Sequence, residues 1–537
     1  MNKGDSSTPN VKVGFDKSKF CFEYLLNCFL LRSSTSSTGS RWHLPRPGKM
    51  KWTPLPYEEC RYTFQIIFIF IMNIFITMKS LKVAVAVVLS LGLLSAFIQL
   101  TDKDKPVPVP ASPQRVGNPD KGYDYLINGD YIRSGIPYQT FLMGAGKSRT
   151  NYLQREGLNE KIPYEYTAVK AYNGKVVVAP NCLQCHAQAF EGKLYMGLGN
   201  TFIDFSNPEK LSVKKLQSLE NVLKTVAPQQ YTAAATFIHV TKTVGPYLTS
   251  QVQGVNMAGR LAAVLAAHRD PVTLAWKDQP LLPIPEVAIP TDTPPWWLLK
   301  KKNAMFYNGY GRGDFGRFLM ASNLLTVNDT AESRSVDEHM PDLLAYLYSI
   351  EPPPYTRPIN EELAATGKVI FNKSCSSCHG KYGEEESYPN LLIPQSIIRT
   401  DSLLYQSNYS NPQFVNWFNK SWFTSGDHPA RLEAFKGYMA PPLDGIWITA
   451  PYLHNGSVPT LEALLNSRLR PRYWSRDFKN PIYDYEAIGW KFAEQPHGNT
   501  PGTYNTDLPG YGNYGHYFGD KLSDAERKAV IEYLKTL

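Results

Sequence analysis

The chain of 537 residues predicts a mostly α fold built from two similar modules, the first enlarged by a long insert. Three observations carry this. The pattern C-x-x-C-H occurs twice, as Cys182-Leu-Gln-Cys-His186 and Cys375-Ser-Ser-Cys-His379. Each module closes on a helix with an apolar face, Asp337 to Ile350 in the first and Leu522 to Leu537 in the second. Between them Glu351-Pro-Pro-Pro354 breaks the chain and serves as a hinge.

C-x-x-C-H is the attachment pattern of c-type haem. The two thiols add across the haem vinyl groups, and the adjacent histidine meets the iron from the proximal side. The plainer readings of one copy are a redox C-x-x-C or half a zinc site. Zinc would want further thiols nearby, and there are none. Two copies make chance negligible. The modules are therefore read as two c-type cytochrome domains, each with a covalent haem. Cys182, Cys185, Cys375 and Cys378 are the anchors, and His186 and His379 the iron ligands.

Charged residues make up 19% and apolar residues 43%, which excludes a disordered chain and a multi-span membrane protein. The net charge of +9 comes without a Lys/Arg run, so no nucleic-acid partner is expected. Of the seven cysteines, Cys21, Cys28 and Cys60 lie near the N-terminus and the other four in the two motifs. The body has no cysteine left for a disulfide, so haem is its staple.

Residues 1–77 read as a doubtful leader, unlike the rest in composition, with Met78 as the expected start. The competing reading is a cytoplasmic leader with a membrane hairpin. Met78-Lys-Ser-Leu-Lys82 and the apolar run Val83 to Leu100 make residues 78–100 a signal peptide or N-terminal membrane anchor. That run would be about 27 Å long as a helix, the lower limit for spanning. The body is thus expected to be periplasmic or secreted, or anchored to the inner membrane. Residues 101–117 are a Pro-rich linker, extended and solvated.

The first domain takes residues 118–350. A strand-like run, Lys175 to Ala179, precedes its haem motif. Within the insert between Asn200 and Pro290, Leu211 to Val226 and Met257 to His268 read as helices. An aromatic segment follows: Trp296, Trp297, Lys300-Lys-Lys-Asn303, Phe306 and Phe318. Arg312-Gly-Asp314 matches an adhesion tripeptide by coincidence. The second domain takes residues 351–537. Glu361 to Lys373 is its haem-bearing helix, and Ser523-Asp-Ala-Glu526 is a capping box for the last helix.

The stretch Thr449-Ala-Pro-Tyr-Leu-His-Asn-Gly-Ser-Val-Pro-Thr-Leu461 resembles the signature of the bacterial di-haem cytochrome c peroxidase superfamily. The likeness spans roughly residues 175–537. Three features bring it closer to the branch of rubber oxygenases and di-haem fatty-acid dioxygenases. The haem motifs are widely spaced. The runs Arg470-Pro-Arg-Tyr-Trp and Tyr483-Asp-Tyr-Glu-Ala-Ile-Gly489 follow the signature. Gly512-Asn-Tyr-Gly-His516 precedes the last helix.

The resemblance implies site roles. His516 is the distal ligand of the second haem, with Met439 as its rival; a His/His haem sits at lower potential than a His/Met one. His454 positions water or protons between the haems, or braces the turn at Asn455-Gly456. Backbone carbonyls at Thr449 and Pro451 help to hold a calcium ion. Trp296 or Trp297 relays electrons between the haems, or packs between domains. Trp296, Trp297 and Phe306 wall the first haem, where the reaction takes place. An apolar wall there favours O2 and an apolar substrate over peroxide cleavage.

The expected activity is a haem-dependent oxidoreductase: a dioxygenase acting on an unsaturated apolar substrate such as a fatty acid or isoprenoid. The alternatives are a cytochrome c peroxidase using hydrogen peroxide and an electron-donor protein, and a non-catalytic electron-transfer cytochrome.

Overall fold

Two helix crossings set the frame. The computed structural model describes residues 105–148, 150–207 and 212–537, all within one compact unit. In it the helix Pro119–Asn128 packs on Met340–Ser349, and Glu361–Ser374 packs on Asp524–Leu534. Each crossing has a glycine at its tightest point. A Cβ on Gly122 would lie 1.9 Å from the Asp342 carbonyl oxygen, and one on Gly367 1.9 Å from that of Ala529. Without a side chain the two backbones can meet.

The helix ends follow from local chemistry. The side chains of Asn118 and Asn360 accept from the backbone N–H groups of Lys121 and Leu363. Ser523 and Glu526 form the expected capping box. The insert contributes the helices Val213–Val226, Pro228–Val244 and Ala258–Ala267.

The expectation of a mostly α fold is corrected. Helix accounts for 40% of the described residues and strand for 13%, so the architecture is mixed α/β. The strands form six small sheets of two or three strands each. Tyr166–Lys170 pairs with Val176–Pro180, which also pairs with Ile136–Pro137. Trp474 sits in a ladder between Glu494 and Tyr504. Among the described residues no strand exceeds five residues. Most strands have two or three residues, too few to display the period-2 alternation by which a strand is read. They form because long connections must satisfy their buried backbone groups.

The Pro-rich segment is extended and largely exposed, as expected, but it is also tied to the body by a short strand at Val107. Val107–Pro108 pairs with Leu391–Leu392, and Val109 is buried. The Arg312-Gly-Asp314 tripeptide is buried too: Asp314 caps a helix and pairs with Arg115 at 2.7 Å.

Two large cores result. One surrounds the first motif and joins Leu183, Ala187, Val240, Val264, Trp296 and Phe315 to Trp417, Phe418 and Trp422. The other joins Phe190, Leu198 and Trp297 to Phe371, Trp447 and Val530. Both draw residues from either side of the Glu351–Pro354 hinge. The proposed leader and anchor lie outside the described residues. Among the described residues no helix is long and apolar enough to cross a membrane.

Candidate functional site

The second motif opens into a cavity of about 230 Å³. The helix Glu361–Ser374 delivers Cys375, and one further helical turn, Ser376–His379, places His379 on the cavity wall with Cys375 and Cys378. His379 Nδ1 donates to the Pro441 carbonyl at 2.8 Å, which leaves Nε2 for a metal.

Facing it is His516, with ring centroids 6.1 Å apart and ring planes at 61°. Two metal–nitrogen bonds of about 2 Å each, plus the reach of both rings, require roughly this separation. The site thus fits a metal held between two imidazoles, with the Cys375 and Cys378 thiols on the same cavity wall. Burial, with positive neighbours, pushes His516 down to about 3, and burial also lowers His379. Both rings stay neutral, the form that ligates.

His516 sits in the left-handed region, φ 49°, and its N–H donates to the Ile398 carbonyl. Arg470 holds this loop from behind. Its guanidinium donates to the carbonyls of Asn513 and Gly515, both at 2.7 Å, and to those of His516, Ala463 and Leu464.

The first motif is more enclosed. Cys182 begins a single helical turn, and Leu183 and Ala187 are fully buried beside it. The Cys182 N–H donates to the Tyr131 hydroxyl. His186 Nδ1 is buried with no hydrogen-bond partner among the described residues, and burial pushes the ring down to about 3. Trp296 stacks on it at 4.5 Å and 17°. Among the described residues no second imidazole faces His186 as His516 faces His379.

One short element joins the two sites. The 3-10 helix Trp296–Lys301 places Trp296 on His186 in the first core. It places Trp297 in the second core, where its indole N–H donates to the Asp444 carbonyl at 2.8 Å. Asp444 and Leu298 both line the second cavity.

The other expected residues fall as follows. His454 is buried on the cavity wall and stacks on Tyr438 at 4.3 Å. Tyr438 donates its hydroxyl to the Asp401 carbonyl, so His454 Nε2, 3.2 Å away, is the donor in their contact. Thr449 and Pro451 line the same cavity. Among the described residues no group of three or more His, Cys, Asp or Glu side chains could hold a metal ion. Met439 lines the cavity but also packs in a small core with Val109, Ala304 and Leu392. Phe306 is 38% exposed and lies edge-on to Tyr310 and Phe318, away from the cavity lining.

Sequence reasoning missed several residues. Arg470 was visible only as part of a family-like run. Asp292 lines the cavity, accepts from the Tyr307 hydroxyl at 2.7 Å, and burial pushes it up to about 7. Its backbone N–H donates to the His454 carbonyl. No local pattern announces a pairing that only the fold creates.

Residues 437–475 match the family described as RoxA-like, cytochrome c-like. That stretch contains Met439, Thr449, Pro451 and His454 of the cavity wall, and Arg470 behind His516. The chain is also similar to two uncharacterized proteins of Sinorhizobium fredii. It is 40% identical to y4iJ over 124 residues, 21% of this chain and 20% of that protein. It is 24% identical to y4iM over 302 residues, 49% of this chain and 68% of that protein. The chain thus spans about a fifth of the length of the first relative and about two thirds of the second. The family match supports a RoxA-like, cytochrome c-like domain, with covalently bound haem c and the character of a haem oxidoreductase.

Proposed function

We propose that this chain is an exported di-haem c-type oxidoreductase that oxygenates an unsaturated, apolar substrate, such as a fatty acid or an isoprenoid, with O2. The haems, when bound, supply O2 activation and one-electron transfer. The observation that carries the reading is the asymmetry between the motifs. His379 has an imidazole opposite it at 6.1 Å, whereas His186 has the Trp296 indole stacked against it.

In this reading Cys182 and Cys185 anchor the reacting haem and His186 ligates it. Cys375 and Cys378 would anchor the second, and His379 and His516 would hold its iron. The apolar core around the first motif, with Leu183, Ala187, Val240 and Phe315, excludes water and suits an apolar substrate. Trp296 and Trp297 couple the two sites. His454 and Asp292 hold protons beside the second haem. A calcium ion at the Thr449 and Pro451 carbonyls belongs to the same proposal, as does export through residues 78–100. Within the superfamily, the rubber oxygenase and fatty-acid dioxygenase branch is the closer likeness.

The test is oxygen uptake by the purified protein with linoleate and with squalene, without added reductant, using isotopically labelled O2. The reading expects uptake with both labelled atoms in the product. Peroxide-dependent oxidation of a reduced cytochrome c, with no oxygen uptake, would replace it with a peroxidase. Neither activity, with both haems low-spin, would leave an electron carrier.

A further inference from the structure

Three consecutive lysines leave the tryptophan-bearing helix, and they do not behave alike. Lys300 pairs with Glu351, and Lys301 pairs with Glu386 and, at 2.6 Å, with Asp444. Lys302 turns the other way. It is 8% exposed and lines the cavity of the second motif. Among the described lining residues it is the one lysine or arginine.

No carboxylate among the described residues pairs with the Lys302 ammonium. The two carboxylates on the cavity wall are engaged elsewhere: Asp292 with Tyr307, and Asp444 with Lys301. Burial alone draws Lys302 down to about 8. A buried ammonium without a partner costs several kcal/mol. Its place on a cavity wall therefore calls for an anion inside the cavity.

We propose that Lys302 is the carboxylate-binding residue of this cavity, and that it receives a propionate of the haem held between His379 and His516. This rests on the reading of the cavity as a haem site. A free fatty acid offers the same carboxylate chemistry, and the experiment separates the two sources.

The full chain is compared with Lys302→Met, Lys302→Gln and Lys302→Arg. The readouts are covalent haem content, the midpoint potential of each haem, the propionate-bending mode in resonance Raman, and laurate binding. With a propionate as partner, the Met and Gln variants lower the potential of the low-spin haem, because an uncompensated carboxylate favours ferric iron. The Raman mode shifts with it, the Arg variant stays near the parent, and the other haem does not move. If Met fails to mature, Gln and Arg supply the same contrast.

Unchanged potential and Raman mode, with laurate binding lost in the Met or Gln variant, would overturn the propionate assignment in favour of an external carboxylate. No change in any readout would overturn the site altogether. A failure of the His/His reading is seen separately, as the absence of a low-spin haem in the unsubstituted protein.

Discussion

The rings of His379 and His516 face each other across the cavity at 6.1 Å, although they come from opposite ends of the second module. This pair defines the second site. Replacing His516 with Met should keep the haem attached through Cys375 and Cys378 and raise its midpoint potential, because a thioether ligand favours ferrous iron. His516→Ala should convert the same haem from low-spin to high-spin. Spectroelectrochemical titration and absorption spectra check both outcomes.

Arg470 should matter without touching the iron. Its guanidinium satisfies five backbone carbonyls at and around the His516 loop. Arg470→Met leaves these acceptors without their donor, at an expected cost of roughly 3 kcal/mol. The low-spin signal should broaden or split as His516 loses its fixed position, while haem content stays at the parent level. Urea unfolding and the EPR line shape are the checks.

Trp297 offers a test of coupling between the sites. Trp297→Phe keeps an aromatic ring but loses the 2.8 Å bond to the Asp444 carbonyl, at an expected cost of about 1–3 kcal/mol. Electron transfer between the haems should slow several-fold in stopped-flow reduction, with the two haem spectra unchanged. An unaltered rate would make this indole ordinary packing.

Asp292 gives a pH dependence with a definite sign. Burial raises it from 3.8 to about 7, so the unfolded chain releases this proton well before the folded one. Stability from this group therefore falls as pH rises from about 4 to about 7, then levels off. At 1.36 kcal/mol per pH unit, the loss is at most roughly 4 kcal/mol. Asp292→Asn still accepts from Tyr307 and removes the titration. The variant should gain on the parent across this window, measured by urea unfolding at pH 4.5 and pH 7.5.

The residues that the sequence revealed are those with local signatures. Cys375-Ser-Ser-Cys-His379 is contiguous, and the capping box at Ser523 and Glu526 spans four residues. His516 was legible through its glycine-rich context and a family likeness. The helix Pro119–Asn128 was not, although it packs on Met340–Ser349 just as Glu361–Ser374 packs on the last helix. Pro228–Val244 was missed because its buried set mixes Ala233, Ala234 and Thr241 with Ile238 and Val244, which gives no clean apolar stripe. Among the described strands, Val176–Pro180 was legible as the apolar run Lys175 to Ala179, whereas the rest, mostly two or three residues long, escaped. Lys302 and Asp292 are set by burial and by the lack or presence of a partner, and both arise only in the folded chain.

The most direct test is EPR of the purified, oxidised protein, with haem quantified beside it. The account predicts two covalent haems per chain, one low-spin with two histidine ligands and one high-spin with an open position. In the His516→Ala variant the low-spin signal should vanish and the high-spin one should persist. Two low-spin haems in the parent protein, or a low-spin signal that survives the loss of His516, would contradict it.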